Sequence, residues 1–227
     1  YASSIDTFTE IMLEGNNGGY ANDWLIGDIK TNEIARLELA LKHPQLWRTF
    51  DGYYTGSNVA QNPKVRENEA TGMDYYDMRS SPNGRWVRWQ QLMRDNYGKI
   101  DRNTARKLMN DHYDSFVEAY NPSSRTICGH VEYDPNGLPE WDWGPFYPGG
   151  AIDAKVTDSE WASQMKFHAK FGHSCDIPFL VEPFLKAHPE YKWQEPYLKD
   201  LPSHPWTIFN AKGYKSMINM FPMKRKK

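Results

Sequence analysis

Hydrophobic residues alternate most clearly where Ala35, Leu37, Leu39 and Leu41 fall on one face and Arg36 and Glu38 on the other. This spacing predicts a half-buried strand. Before it, the apolar run 25–29 ends at the polar turn Lys30-Thr31-Asn32. After it, 46–50 and 53–55 flank Asp51-Gly52, a pair suited to a type I′ hairpin turn, which needs positive φ at both positions. Residues 23–58 therefore read as a meander of up to four antiparallel strands, with Leu25, Leu37 and Leu39 buried. Helical periods lie on either side. A short helix over 4–12, capped by Asp6 or Thr7 with Glu10 completing the box, has Phe8, Ile11 and Met12 as its one apolar face. A second over 84–97 carries Trp86, Trp89, Leu92 and Met93 at three- and four-residue steps. A third, capped by Asp101 or Asn103, runs to Asp111-His112.

Later segments are less regular. Residues 125–133 and 149–156 read as strands. The box Thr157-Asp158-Ser159-Glu160 opens a helix to Phe171, with Trp161, Met165 and Ala169 inward, and 177–187 reads as a helix interrupted by Pro183. Residues 59–83 and 134–148 read as loops. The stretch 188–227 is a Pro- and aromatic-rich C-terminal extension ending in a solvated basic tail, Lys224-Arg225-Lys226-Lys227.

Composition narrows the function classes. The chain has 227 residues, enough for one domain with a substantial core, and its net charge of −2 points to neither nucleic acid nor an anionic membrane as partner. No apolar run reaches the roughly 18 residues of a membrane span. No signal peptide is read, and the opening Tyr1-Ala2-Ser3-Ser4 lacks a Met, as expected of a processed chain or fragment. Aromatics make up 15% with nine Trp, which fits a Trp-rich core or an aromatic-lined pocket. The two cysteines both neighbour histidines, in Cys128-Gly129-His130 and His173-Ser174-Cys175. Three readings stay open: zinc held by Cys128, His130, His173 and Cys175 at spacings unlike a zinc finger's, a disulfide, or two buried thiols.

The order Asn22-x-Trp24-Leu25-Ile26-x-Asp28, a turn, a Glu-containing strand, a hairpin and then Ser57-Asn58 resembles the N-terminal-nucleophile hydrolases. Within them it is most similar to the acyl-coenzyme A:6-aminopenicillanic-acid acyltransferase family and its bacterial autoproteolytic relatives. Bile salt hydrolase, penicillin V acylase, acid ceramidase and the phospholipase B-like proteins are more distant. The segment from Ser80 to Arg88 and the pattern Asp111-His112 … Ile127-Cys128-Gly129-His130 extend the likeness over about 16–133.

The resemblance implies an α+β fold, an αββα sandwich of two stacked antiparallel sheets flanked by helices. It implies hydrolysis or transfer of an acyl group from an amide or ester, with no cofactor and no metal. Carried over, Asn58 is the oxyanion donor and Arg85 the cation beside the nucleophile. Asn22 and Trp24 line the substrate pocket. A structural reading stands beside each: Asn58 as a turn residue, Arg85 in a surface ion pair, His112 and His130 satisfied by internal hydrogen bonds. The nucleophile itself has no match, since Tyr1 cannot serve and both cysteines are interior to the chain. The chain is thus expected to be the C-terminal portion of one such domain. Its partners would be the upstream portion carrying the nucleophile and a small acylated substrate, in a secreted or periplasmic setting. A non-catalytic, aromatic-rich binding or structural subunit of the same fold is the alternative.

Overall fold

The alternation read at 35–41 builds the centre strand of the first sheet. In the computed structural model, which describes residues 2–70 and 72–211, β1 (Asn22–Asp28), β2 (Glu33–Leu39) and β3 (Gln45–Thr49) pair antiparallel in the order β1-β2-β3. The register runs from Asn22↔Leu39 to Asp28↔Glu33 on one side of β2 and from Ile34↔Thr49 to Glu38↔Gln45 on the other. The β1–β2 turn closes as its residues dictate. Asn32 takes a left-handed φ of 60° and its N–H donates to Asp28 O at 2.8 Å.

One face of this sheet buries Ala35, Leu37 and Leu39. Helix α1 (Ile5–Leu13) lies there, capped by the Ser4 side chain, just ahead of the predicted Asp6 or Thr7. Arg48 joins it to the sheet by pairing with both Asp6 and Glu33. The opposite face carries Arg36 and Glu38, both buried, whereas Leu25 on that face is 48% exposed against the expectation.

Asp51-Gly52 does not turn a fourth strand. Gly52 has φ 144°, but Asp51 does not take the positive φ that a type I′ turn requires. The Thr49 hydroxyl instead accepts from Asp51 N and donates to Asp51 O. The chain then crosses the sheet, with Tyr54 over the Arg36 guanidinium and Thr55 O accepting from Arg36 Nη2. Within the predicted loop 59–83, Asn62 caps α2 (Pro63–Asn68), and Glu69 just beyond accepts the backbone N–H groups of Leu41, Lys42 and His43.

Helix α3 (Ser81–Asn96) starts three residues earlier than its apolar period, with Pro82 in its first turn. Helix α4 (Arg102–Met109) is capped by Asp101. Leu92, Met93 and Leu108 form the core between them, with Trp89 and Ile127 against it. A short hairpin with two-residue strands follows, β4 (Tyr113–Asp114) with β5 (Ala119–Tyr120).

Residues 125–133 are not a strand. Arg125 is buried between Asp114 and Asp134, and the Thr126 hydroxyl turns the chain by bonding Ser123 O and Cys128 O. A 3₁₀ turn occupies Val131–Tyr133. These polar groups are satisfied inside a turn-rich loop, which overrides the strand propensity of the segment.

The last sheet has the order β6-β7-β8, from β6 (Asp153–Val156), β7 (Lys166–Phe171) and β8 (Thr207–Asn210). Asp158 caps α5 (Ser159–Ser163), but that helix is five residues long and does not reach Phe171. Met165 takes φ 55° and breaks it. Phe167, Ala169 and Phe171 then recur at period two, and Phe167 stacks on Phe209 of β8 at 5.5 Å. In α6 (Val181–Ala187), Pro183 falls in the first turn, where its missing N–H costs nothing, so the helix is not interrupted. The described part of the extension is integrated into the fold through β8 and the buried Tyr191 and Gln194. The basic tail lies outside the described residues.

Candidate functional site

A cleft of about 610 Å³ opens at the end of β1 and β2, where the segment around 56–60 passes over the sheet. Its polar side is formed by Asn22, Asp23, Glu38, Ser57 and Asn58. Its apolar side is formed by Leu39, Val59, Met73, Tyr75 and Trp141.

Asn58 and Arg85, 27 positions apart in sequence, meet here. Arg85 Nη2 donates to Asn58 Oδ1 at 3.0 Å. Asn58 is held at a left-handed φ of 63°, a conformation that Asn tolerates better than most residues. Because its Oδ1 receives the guanidinium, its Nδ2 is the end left to donate. Arg85 lies on the second turn of α3, clear of the unfavourable first turn, and its Nε donates to Ser81 Oγ at 3.2 Å. Burial pulls its pKa down to about 10, with Glu140 opposing, so it stays charged at neutral pH. Arg85 is absent from the cleft wall and reaches the cleft through Asn58.

Of the other two residues predicted for the site, Asn22 lines the cleft. Trp24 does not. It packs edge-on against Phe8 of α1, ring centroids 5.7 Å apart, because α1 covers that face of the sheet.

Two residues the sequence reading missed form the cleft floor. Asp23 and Glu38 are register partners across β1 and β2. Glu38 accepts the N–H groups of Gln61 and Asn62. Asp23 Oδ2 lies 3.3 Å from Arg36 Nε. Burial raises the Asp23 carboxyl to about 6; Arg36 opposes the shift and Glu38 adds to it. Among the described residues, Asn22 Oδ1, Asp23 Oδ1 and Ser57 Oγ are buried with no hydrogen-bond partner. These buried polar atoms belong to residues that line the cleft beside an orientated amide.

A second cluster lies away from this cleft. Cys128, His130 and Cys175 converge as the zinc reading expected, but the fourth member is His112, not His173. His173 Nε2 instead lies 3.2 Å from Glu132 Oε1, behind His130. Cys128 and Cys175 are free thiols. A hydrogen bond from Cys175 holds the Cys128 thiol far below its ordinary range, against the effect of burial, with His112 and His130 adding to it.

The chain matches no known family model and no curated protein sequence. The site must therefore be read from its own residues. No helix among the described residues is long and apolar enough to cross a membrane.

Proposed function

We propose that this chain is the C-terminal portion of an N-terminal-nucleophile amide or ester hydrolase or acyltransferase, built on an αββα sandwich that the upstream portion completes. The observation that carries the reading is the Arg85–Asn58 hydrogen bond at the cleft edge. It ties down the acceptor end of an exposed, left-handed Asn and so orientates the Nδ2 donor, as an oxyanion-binding group requires.

In this reading an upstream Cys, Ser or Thr enters the cleft with its α-amine. The amine takes the proton of its own side chain, which attacks the acyl carbonyl; as the tetrahedral intermediate collapses, the ammonium gives that proton to the departing amine or alcohol, and water or an acyl acceptor then takes the acyl group and regenerates the nucleophile. Negative charge developing on the carbonyl oxygen is met by Asn58 Nδ2, and Arg85 serves as the positioning residue. Leu39, Val59, Met73 and Trp141 offer an apolar surface to the acyl group.

The test is kinetic, on the enzyme assembled with its upstream portion and assayed on acyl amides and esters. Asn58→Ala is expected to lower kcat by about 10²–10³-fold with little change in KM, the usual scale for one lost oxyanion donor. Full activity in Asn58→Ala removes Asn58 from the mechanism, and an assembled protein inert on every acyl substrate defeats the reading.

A further inference from the structure

Four side chains from three separate stretches of chain aim their metal-binding atoms at one point. His130 Nε2 lies 3.1 Å from His112 Nε2, 3.5 Å from Cys128 Sγ and 3.4 Å from Cys175 Sγ. All four donor atoms fall within 4.8 Å of one another, and all four residues are buried. A tetrahedral zinc ion, with bonds of about 2.0–2.1 Å to nitrogen and 2.3 Å to sulfur, places its ligand atoms roughly 3.3–3.8 Å apart. The three observed separations lie close to those edges.

His130 Nδ1 faces Glu132 Oε1 at 2.8 Å, and an ionised carboxylate only accepts, so Nδ1 carries the proton. Nε2 thus turns its one bonding position toward an imidazole nitrogen and two sulfurs at once, and a cation at their centre would bond all four.

The surroundings fit the same account. Glu132 receives His130 Nδ1 and His173 Nε2, which fixes the tautomer that leaves His130 Nε2 free to ligate. The Ile177 N–H points at Cys175 Sγ at 3.4 Å, an orientation that suits a thiolate. Two sulfurs and two imidazole nitrogens favour zinc over magnesium or calcium.

We propose that His112, Cys128, His130 and Cys175 form a closed, structural zinc site that pins the end of α4 and the turn after β7 to the loop around 123–134. With four protein ligands the ion keeps no open position, so its role is in holding the fold and not in the acyl chemistry of the cleft. The site stands whether or not the acyl-transfer reading does.

The experiment is metal analysis of the chain purified without chelator from zinc-supplemented medium. One zinc per chain is expected, with a melting temperature that falls on chelation and returns with zinc. The cobalt(II)-loaded chain should show thiolate-to-cobalt charge transfer and the strong visible bands of a tetrahedral ion. Cys175→Ala should lose stoichiometric metal. His112→Cys should keep one ion, and its charge-transfer intensity should rise with the added thiolate, a gain that packing alone does not produce and that does not depend on a variant failing to fold. His173→Ala should weaken zinc binding by about 10–100-fold without changing the stoichiometry. A metal-free chain whose melting ignores chelator and zinc overturns the proposal, as does a Cys128–Cys175 disulfide, seen as a mass lower by two hydrogens in the protein as purified.

Discussion

Asp23 is the residue through which pH acts on the cleft. Its carboxyl titrates at about 6 in the folded chain against an ordinary value of 3.8. The folded state thus binds this proton more tightly than the unfolded state. The resulting stability is complete below pH 3.8 and lost as the pH rises through 6, so the charged form carries a cost above that range of at most about 3 kcal/mol before solvent screening reduces it, at about 1.4 kcal/mol per pH unit. Asp23→Asn should therefore raise the melting temperature at pH 8 and leave it nearly unchanged at pH 3.5. Equal gains at both pH values would show that something other than the carboxyl charge is responsible. This group was hidden in the sequence because alternation shows which residues share a face but not what covers it. Arg36 and Glu38 look like a solvent face in the pattern, yet the segment 53–62 buries them and turns their neighbour Asp23 into part of a cleft floor. That Asn58 and Arg85 meet was expected only from an ordered likeness over many positions, since nothing local in the sequence links the two residues. His112 was legible as half of Asp111-His112 but not as a partner of Cys175, because no local period links them.

Among the elements, Gly150 lies close against the Gly129 backbone beside the cysteine–histidine cluster. A Cβ on Gly150 would lie 2.4 Å from Gly129 O, and the next residue donates its N–H to that same carbonyl. Gly150→Ala should destabilise the chain by about 1–3 kcal/mol or more, because backbone must move to admit the methyl group. Gly149→Ala should cost less, since its nearest contact at 3.1 Å is the edge of the Trp143 ring, a side chain that can shift. Chemical denaturation of the two variants side by side checks the order, and equal losses would contradict it. The close approach also explains how much of the second half could be read in advance. A lone bridge, His130↔Gly150, stands where two strands were expected to begin or pass, because Ser123, Thr126 and Asp134 spend the local hydrogen bonds on turns. In 159–171, a true cap at Asp158 and four-residue steps at Trp161, Met165 and Ala169 argue for a helix, while a two-residue period through Phe167 and Phe171 argues for a strand. Pairing to β6 and β8 on both sides decides for the strand, and that information lies 36 or more residues away, in β8. The first sheet was legible because its turn residues and its alternation agree locally.

For the whole molecule, the first sheet ends in β1 on one side and β3 on the other, and exposed Trp24, Leu25, Ile29 and Phe50 lie on or beside those edges. Unpaired strand edges with apolar neighbours invite another chain. If the upstream portion completes the sandwich, amide exchange in β1 or β3 should slow sharply on assembly, binding of a hydrophobic dye should fall, and the contact should exceed about 2,000 Å², as obligate interfaces do. A chain that melts cooperatively as a dye-silent monomer would favour the self-sufficient binding domain instead. The cluster around His130 sets a schedule as well as a shape. Cys175 follows His130 by 45 positions, so at a synthesis rate of about 5–20 residues per second the growing chain presents Cys128, His112 and His130 for roughly 2–9 seconds before their last companion is made. For that interval the nascent protein holds one cysteine and two histidines of the cluster without the second cysteine, so the four-residue cluster is completed only after the chain has grown through Cys175.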